Sequence, residues 1–207
     1  MDKTLIIFSV GNPGASNRHS TGHYMLKKLV DYFDVKQLTK KSPMYSVTSN
    51  ADNSLILAKS NIYMNDSGKA FSKFIEGERI RLNSSCIILI LYDDFESKLG
   101  TIKLLNLKSK ESHNGLKSIR NSVNDPGINE VVFKLAIGIG PKPNNASKQT
   151  MASWVLSDFN SEEHRVLESA AFDALTTCLG EIIELNGEIN DCNKFNAHLT
   201  KVLRASV

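Results

Sequence analysis

The chain has 207 residues, 41% of them apolar, which is enough for one substantial core, and this length predicts a single domain over residues 1–207. Lys and Arg number 25 against 22 Asp and Glu, a formal charge of +3 that is too small for indiscriminate nucleic-acid coating, so attraction to phosphate must depend on where lysines cluster. Cys86, Cys178 and Cys192 are odd in number and far apart, arguing against a disulfide framework or a thiolate metal site. No run reaches the roughly 20 apolar residues of a membrane span, and the start shows no signal pattern, so a soluble protein of the cytoplasm or mitochondrial matrix is expected.

Leu5 to Val10 is a short apolar run stopped by Gly11-Asn12-Pro13-Gly14, the pattern of a buried strand ending in a tight turn. A helix follows, capped at Ser20 or Thr21, with Leu26, Leu29, Val30 and Phe33 along one face. Tyr45 to Ser49 and Leu55 to Lys59 flank the polar cluster Asn50-Ala51-Asp52-Asn53 and predict a hairpin. After a loop from Asn61, Ser67 is placed to cap a helix that turns Phe71, Phe74 and Ile75 inward, and Ile87 to Leu91 predicts a central strand.

Thr101 to Leu105 and Val131 to Ile137 predict further strands, separated by a short helix over Leu116 to Val123. The stretch from Pro141 to Gln149 has no periodicity and reads as an exposed, mobile loop suited to a lid. A long helix is predicted over Glu162 to Asn186, ended by Gly187, and a last one over Asn193 to Leu203. Strands alternate with helices around one hairpin, which predicts an α/β fold: a three-layer sandwich of a mixed sheet between helices.

Ligands in open α/β folds bind beyond the carboxyl ends of the strands, which draws attention to Asn12 and Asp93. An acid there can orient a histidine and stabilise its protonated form, and His19 is the natural partner: an imidazole titrating near neutrality suits a base that takes a proton from water. The same residues also read as a loop histidine and a turn former, because spacing alone does not pair them. Asn65 and Asn114 lie in glycine-containing loops where an amide can offer both donor and acceptor, and where Asn-Gly also simply makes turns. Lysines from Lys98 to Lys117, with Arg120, form either a phosphate-binding patch or a solvated basic face. A Gly-x-Ser-x-Gly elbow, a His-Glu-x-x-His zinc helix and a dinucleotide fingerprint are all missing.

In chain order, Gly11-Asn12-Pro13-Gly14, Arg18-His19, Met64 to Ala70, Tyr92-Asp93-Asp94, His113 to Leu116 and Ile137 to Gly140 resemble the motifs of the bacterial-type peptidyl-tRNA hydrolase family, and the likeness runs nearly end to end. The resemblance implies a monomer that works without metal or other cofactor and hydrolyses the ester between a peptide and its tRNA. By it, His19 and Asp93 match the catalytic pair, while Asn12, Asn65 and Asn114 match residues that hold substrate or water. Trp154-Val155-Leu156 resembles a family triplet too and reads as packing.

Departures from the pattern are specific. The segment from Pro13 to His19 is short, Asn17 stands where the family carries an aromatic residue, and Ser20 replaces an asparagine. Leu105 and Ala136 occupy positions where the family clamps a tRNA phosphate, predicting a rearranged clamp of Lys103, Lys108 or Lys110. Two other readings compete: an RNA-binding relative that has lost catalysis, and an unrelated small-molecule hydrolase.

Overall fold

The structure is a computed structural model that describes residues 2–14, 16–109, 112–123 and 127–205. Seven strands form one sheet: β1 (Thr4–Ser9), β2 (Thr39–Lys40), β3 (Tyr45–Ser49), β4 (Leu55–Ser60), β5 (Cys86–Lys98), β6 (Ile102–Asn106) and β7 (Val132–Gly140), in the order β2-β3-β4-β1-β5-β7-β6. The four central strands run parallel, and β3 and β6 pair antiparallel on the two sides. Central strands are buried on both faces, which is why Leu5 to Val10 and Ile87 to Leu91 read as unbroken apolar runs rather than alternating ones.

Helices cover both faces. On one, α1 (Thr21–Tyr32), α7 (Phe172–Glu184) and α8 (Cys192–Ala205) bury Leu26, Leu29, Leu175, Leu179 and Phe195 against Leu5, Ile7, Leu89 and Leu135. On the other, α2 (Ser67–Gly77), α3 (Asn114–Ser122) and the short α4 (Ile128–Val131) pack Phe71, Phe74, Leu116 and Ile119 onto Ile6, Phe8, Ile88 and Ile90. This is the expected mixed-sheet sandwich.

Several boundaries differ from the sequence reading, for physical reasons. The strand of Ile87 to Leu91 continues to Lys98, because beyond an irregularity after Asp94 the chain still pairs with the end of β7, Lys98 opposite Gly140. Ser67 is the first residue of α2 rather than its cap, and its hydroxyl donates to the Met64 carbonyl. The predicted Glu162–Asn186 helix is α6 (Ser161–Val166), a π-helical turn (Leu167–Ala171) and α7 in succession, with Gly187 beyond it at φ +68°. Part of the predicted Pro141–Gln149 loop is helical, since α5 (Lys148–Val155) begins there, capped by Ser147. Among the described residues no helix is long and apolar enough to cross a membrane.

Candidate active site

Two close approaches set the site. A Cβ on Gly22 would come within 2.5 Å of the Leu91 carbonyl oxygen, so only glycine lets the start of α1 rest directly on β5, which brings the 3₁₀ turn Arg18–Ser20 over Asp93. On the opposite face a Cβ on Gly68 would meet the Ser118 carbonyl oxygen at 2.2 Å, and the Gly68 N–H donates to the Ser118 hydroxyl at 3.0 Å. The beginnings of α2 and α3 are thereby pressed together, with Asn65 and Asn114 lining one surface depression between them.

His19, Asn12, Asn65 and Asn114 all line a cavity of about 790 Å³, although they come from four separate segments. Asp93 lies behind it, inside β5 rather than after the strand, and is fully buried. The Asp93 Oδ2 is 2.8 Å from Nδ1 of His19, and its Oδ1 is 3.1 Å from Nε2 of His113, a second buried imidazole. Burial by itself would raise the Asp93 carboxyl, but the charges and hydrogen bonds of the two histidines hold it below its ordinary value. The carboxylate is therefore ionised and can only accept, so both imidazoles donate to it: Nδ1–H of His19 and Nε2–H of His113.

That hydrogen-bond pattern fixes the neutral tautomer of His19 and leaves Nε2, with its lone pair, as the nitrogen for the cavity. Burial pulls the His19 imidazole down; the hydrogen bond and the charge of Asp93 outweigh it and hold the group above its ordinary 6.5. The ligand atoms of His19, Asp93 and His113 lie within 4.8 Å of one another, close enough to hold a metal ion, yet one nitrogen of each histidine already bonds the carboxylate. The arrangement is that of an acid orienting two imidazoles.

Asn12 is held by its own amide oxygen, which accepts from the Met64 N–H at 3.1 Å and leaves the amide N–H₂ for the cavity. Asn65 and Asn114 are exposed at the rim. Opposite them, Lys142, Phe95, Met151, Val155 and Leu156 complete the wall. Lys142 is ion-paired to Glu96 and lies 5.7 Å from the centre of the Phe95 ring, which ties the segment after β7 to β5. The turn bearing His19 is anchored by Arg18, whose guanidinium bonds both Glu163 oxygens at 2.7 and 2.8 Å and lies within 5.0 Å of the Trp154 and Phe159 ring centres. Trp154 is thus a packing residue as expected, whereas Val155 and Leu156 face the cavity.

Of the lysines predicted for the clamp, Lys103 and Lys108 do not line the cavity. Lys103 and Lys108 are exposed on and just after β6, at the sheet edge; the Lys103 Nζ donates to the Ser97 hydroxyl at 2.9 Å, and Lys110 lies outside the described residues. Lys134, adjacent to the replaced clamp position, is buried and donates to the Ser109 carbonyl, so it offers nothing to an external phosphate. Sequence reasoning missed His113, Arg18 and Lys142 as parts of the site. For His113 a signal existed, its position immediately before Asn114.

Residues 6–202 match the family model described as peptidyl-tRNA hydrolase. The chain belongs to the peptidyl-tRNA hydrolase family. A member from Fervidobacterium nodosum is 31% identical over 198 residues, covering 93% of this chain and 96% of that protein, and one from Mycoplasma pneumoniae is 29% identical, covering 88% and 93%. The crystal structure of peptidyl-tRNA hydrolase from Acinetobacter baumannii superposes with a TM-score of 0.73 at 24% identity, covering 95% of each chain, a likeness of fold.

Proposed function

We propose that the chain hydrolyses the ester joining a peptide to the terminal ribose of tRNA, releasing free peptide and tRNA. The observation that carries this reading is His19 at the cavity wall, its Nδ1 committed to the buried, ionised Asp93, in a chain that matches this family over nearly its whole length. Neutral Nε2 takes a proton from a water, the resulting hydroxide adds to the ester carbonyl, and the imidazolium returns the proton to the departing ribose oxygen. Asp93 stabilises the imidazolium without becoming protonated itself. The amide of Asn12, with Asn65 and Asn114, holds the substrate and donates to the developing oxyanion.

A site built to bond a peptide group rejects an ester that lacks one, since its amides would be left unpaired; this supports selectivity for peptidyl over free aminoacyl esters. Lys103 and Lys108 would meet the tRNA backbone away from the reacting bond. The reading further takes residues 1–207 as one domain working as a monomer in the cytoplasm or mitochondrial matrix.

Release of tRNA from a purified N-blocked aminoacyl-tRNA, in the presence of a metal chelator, tests it. Wild type is expected to cleave, and His19→Ala to lose about 10²–10⁴-fold in kcat while keeping its tRNA affinity, because a general base acts in the transition state more than in binding. Binding without cleavage by the wild type would instead favour an RNA-binding relative.

A further inference from the structure

On the other side of the Asn12 loop lies a second cavity, of about 510 Å³, which the hydrolytic reaction does not use. Asn12 lines both spaces, so the loop after β1 is a common wall between them. The charge of the second cavity has one sign. Lys27 and Lys59 contribute ammonium groups, His23 and His164 contribute imidazoles, and among the described residues no Asp or Glu lines it.

Lys59 is half-buried near the carboxyl end of β4, where it pairs in register with Ser9 of β1. Among the described residues neither Lys27 nor Lys59 makes an ion pair. Beside Lys59, His23 bonds the Ser9 hydroxyl through Nδ1 at 2.8 Å, and its Nε2 is sealed from solvent beneath the Gly11 backbone. The ring is wedged under the loop, so that a Cβ on Gly11 would come within 2.7 Å of it. A half-buried ammonium without an ion-pair partner among the described residues, in a cavity whose lining carries no acid, is an arrangement that an anion completes and a cation does not. Tyr24, Leu38 and Phe159 add an apolar flank, and the volume lies within the usual range of small-ligand sites.

The geometry points to a binding site for a phosphate-bearing anion of mononucleotide size, held by Lys59 and Lys27, with the His23 ring in its wall. The phosphate can belong to a free nucleotide or to the RNA backbone of the substrate; the chemistry of the site is the same. Binding here does not depend on the hydrolase reading, so the two can fail separately.

Adenosine monophosphate titrated into the full chain, followed by calorimetry and by imidazole NMR that resolves His23 from His19, tests the site. Saturable binding that moves the His23 resonances and leaves those of His19 in place is expected. Lys59→Gln should weaken it by about tenfold or more, the loss of one charge-assisted contact. Lys201→Gln, at an exposed position of α8 that does not line the cavity, should leave it unchanged. If Lys59→Gln does not fold, Lys27→Gln at an exposed helical position carries the comparison. Displacement of the nucleotide by deacylated tRNA would assign the site to the RNA backbone, and simultaneous binding of both would assign it to a free nucleotide. The proposal is overturned by no saturable binding at millimolar nucleotide, by binding indifferent to both lysine substitutions, or by a response at His19 and not His23.

Discussion

His19, in the 3₁₀ turn Arg18–Ser20, and His23, in the first turn of α1, lie four residues apart, one on each side of the Asn12 loop, and their proton affinities are driven in opposite directions. Both are pulled down by burial. His19 meets the carboxylate of Asp93 and ends above its ordinary value, whereas the ammonium of Lys59 adds to the burial of His23 and takes it down to about 3. The same side chain is raised toward a base in one environment and kept neutral down to about 3 in the other, and what decides is the charge that each neighbouring strand delivers: Asp93 from β5, Lys59 from β4.

Asp93→Asn should break this contrast most severely. It removes the group that raises His19 and leaves only burial, so kcat is expected to fall by about 10²-fold or more. Because the base must be neutral, the rate rises with pH through the His19 pKa; in wild type that limb should lie above 6.5, and in the variant the residual activity should show it at lower pH. A pH–kcat/KM profile of each checks both points.

A smaller effect is expected at His113. His113→Asn removes one of the two imidazoles that keep the Asp93 carboxyl below its ordinary range, so the carboxyl should rise and the rate should drop by about tenfold, with KM little changed. Direct observation of the Asp93 carboxyl by ¹³C NMR would register the rise.

The smallest effect is on stability alone. Below 6.5 the unfolded chain protonates His23 while the folded chain refuses the proton until about 3, so this group costs stability increasingly as pH falls through that window. His19 has the opposite sign: its raised folded value adds stability that is complete below 6.5 and fades as pH rises through the folded pKa. His23→Gln should therefore unfold less readily in acid than wild type, with little difference at neutral pH, as urea unfolding at the two pH values would show.

How much of this the sequence discloses depends on the range of the interactions. Strand and helix order is legible because apolar runs and helical spacing are local, and the Asn-rich turns mark the loops that end in the site. The capping box at the start of α6, Asn160 with Glu163, is local too. By contrast, Arg18 finds Glu163 from 145 residues away, and Asp93 finds His19 across 74. The His19–Asp93 pair proposed as catalytic is suggested by motif order, but the second imidazole on Asp93 is hinted at only by its place just before Asn114, since nothing local says that His113 is buried. Asp93 was expected after its strand; it lies within it because pairing with β7, invisible in the β5 segment itself, carries the strand onward.

The most direct test of the account is to titrate both imidazoles by ¹H–¹⁵N NMR in the wild-type chain and to measure kcat/KM over the same pH range. The account predicts that His19 loses its proton with a midpoint above 6.5, coincident with the rise in hydrolysis, while His23 stays neutral down to about 3. A rate that rises independently of the His19 titration, or a His19 midpoint below 6.5, would contradict it.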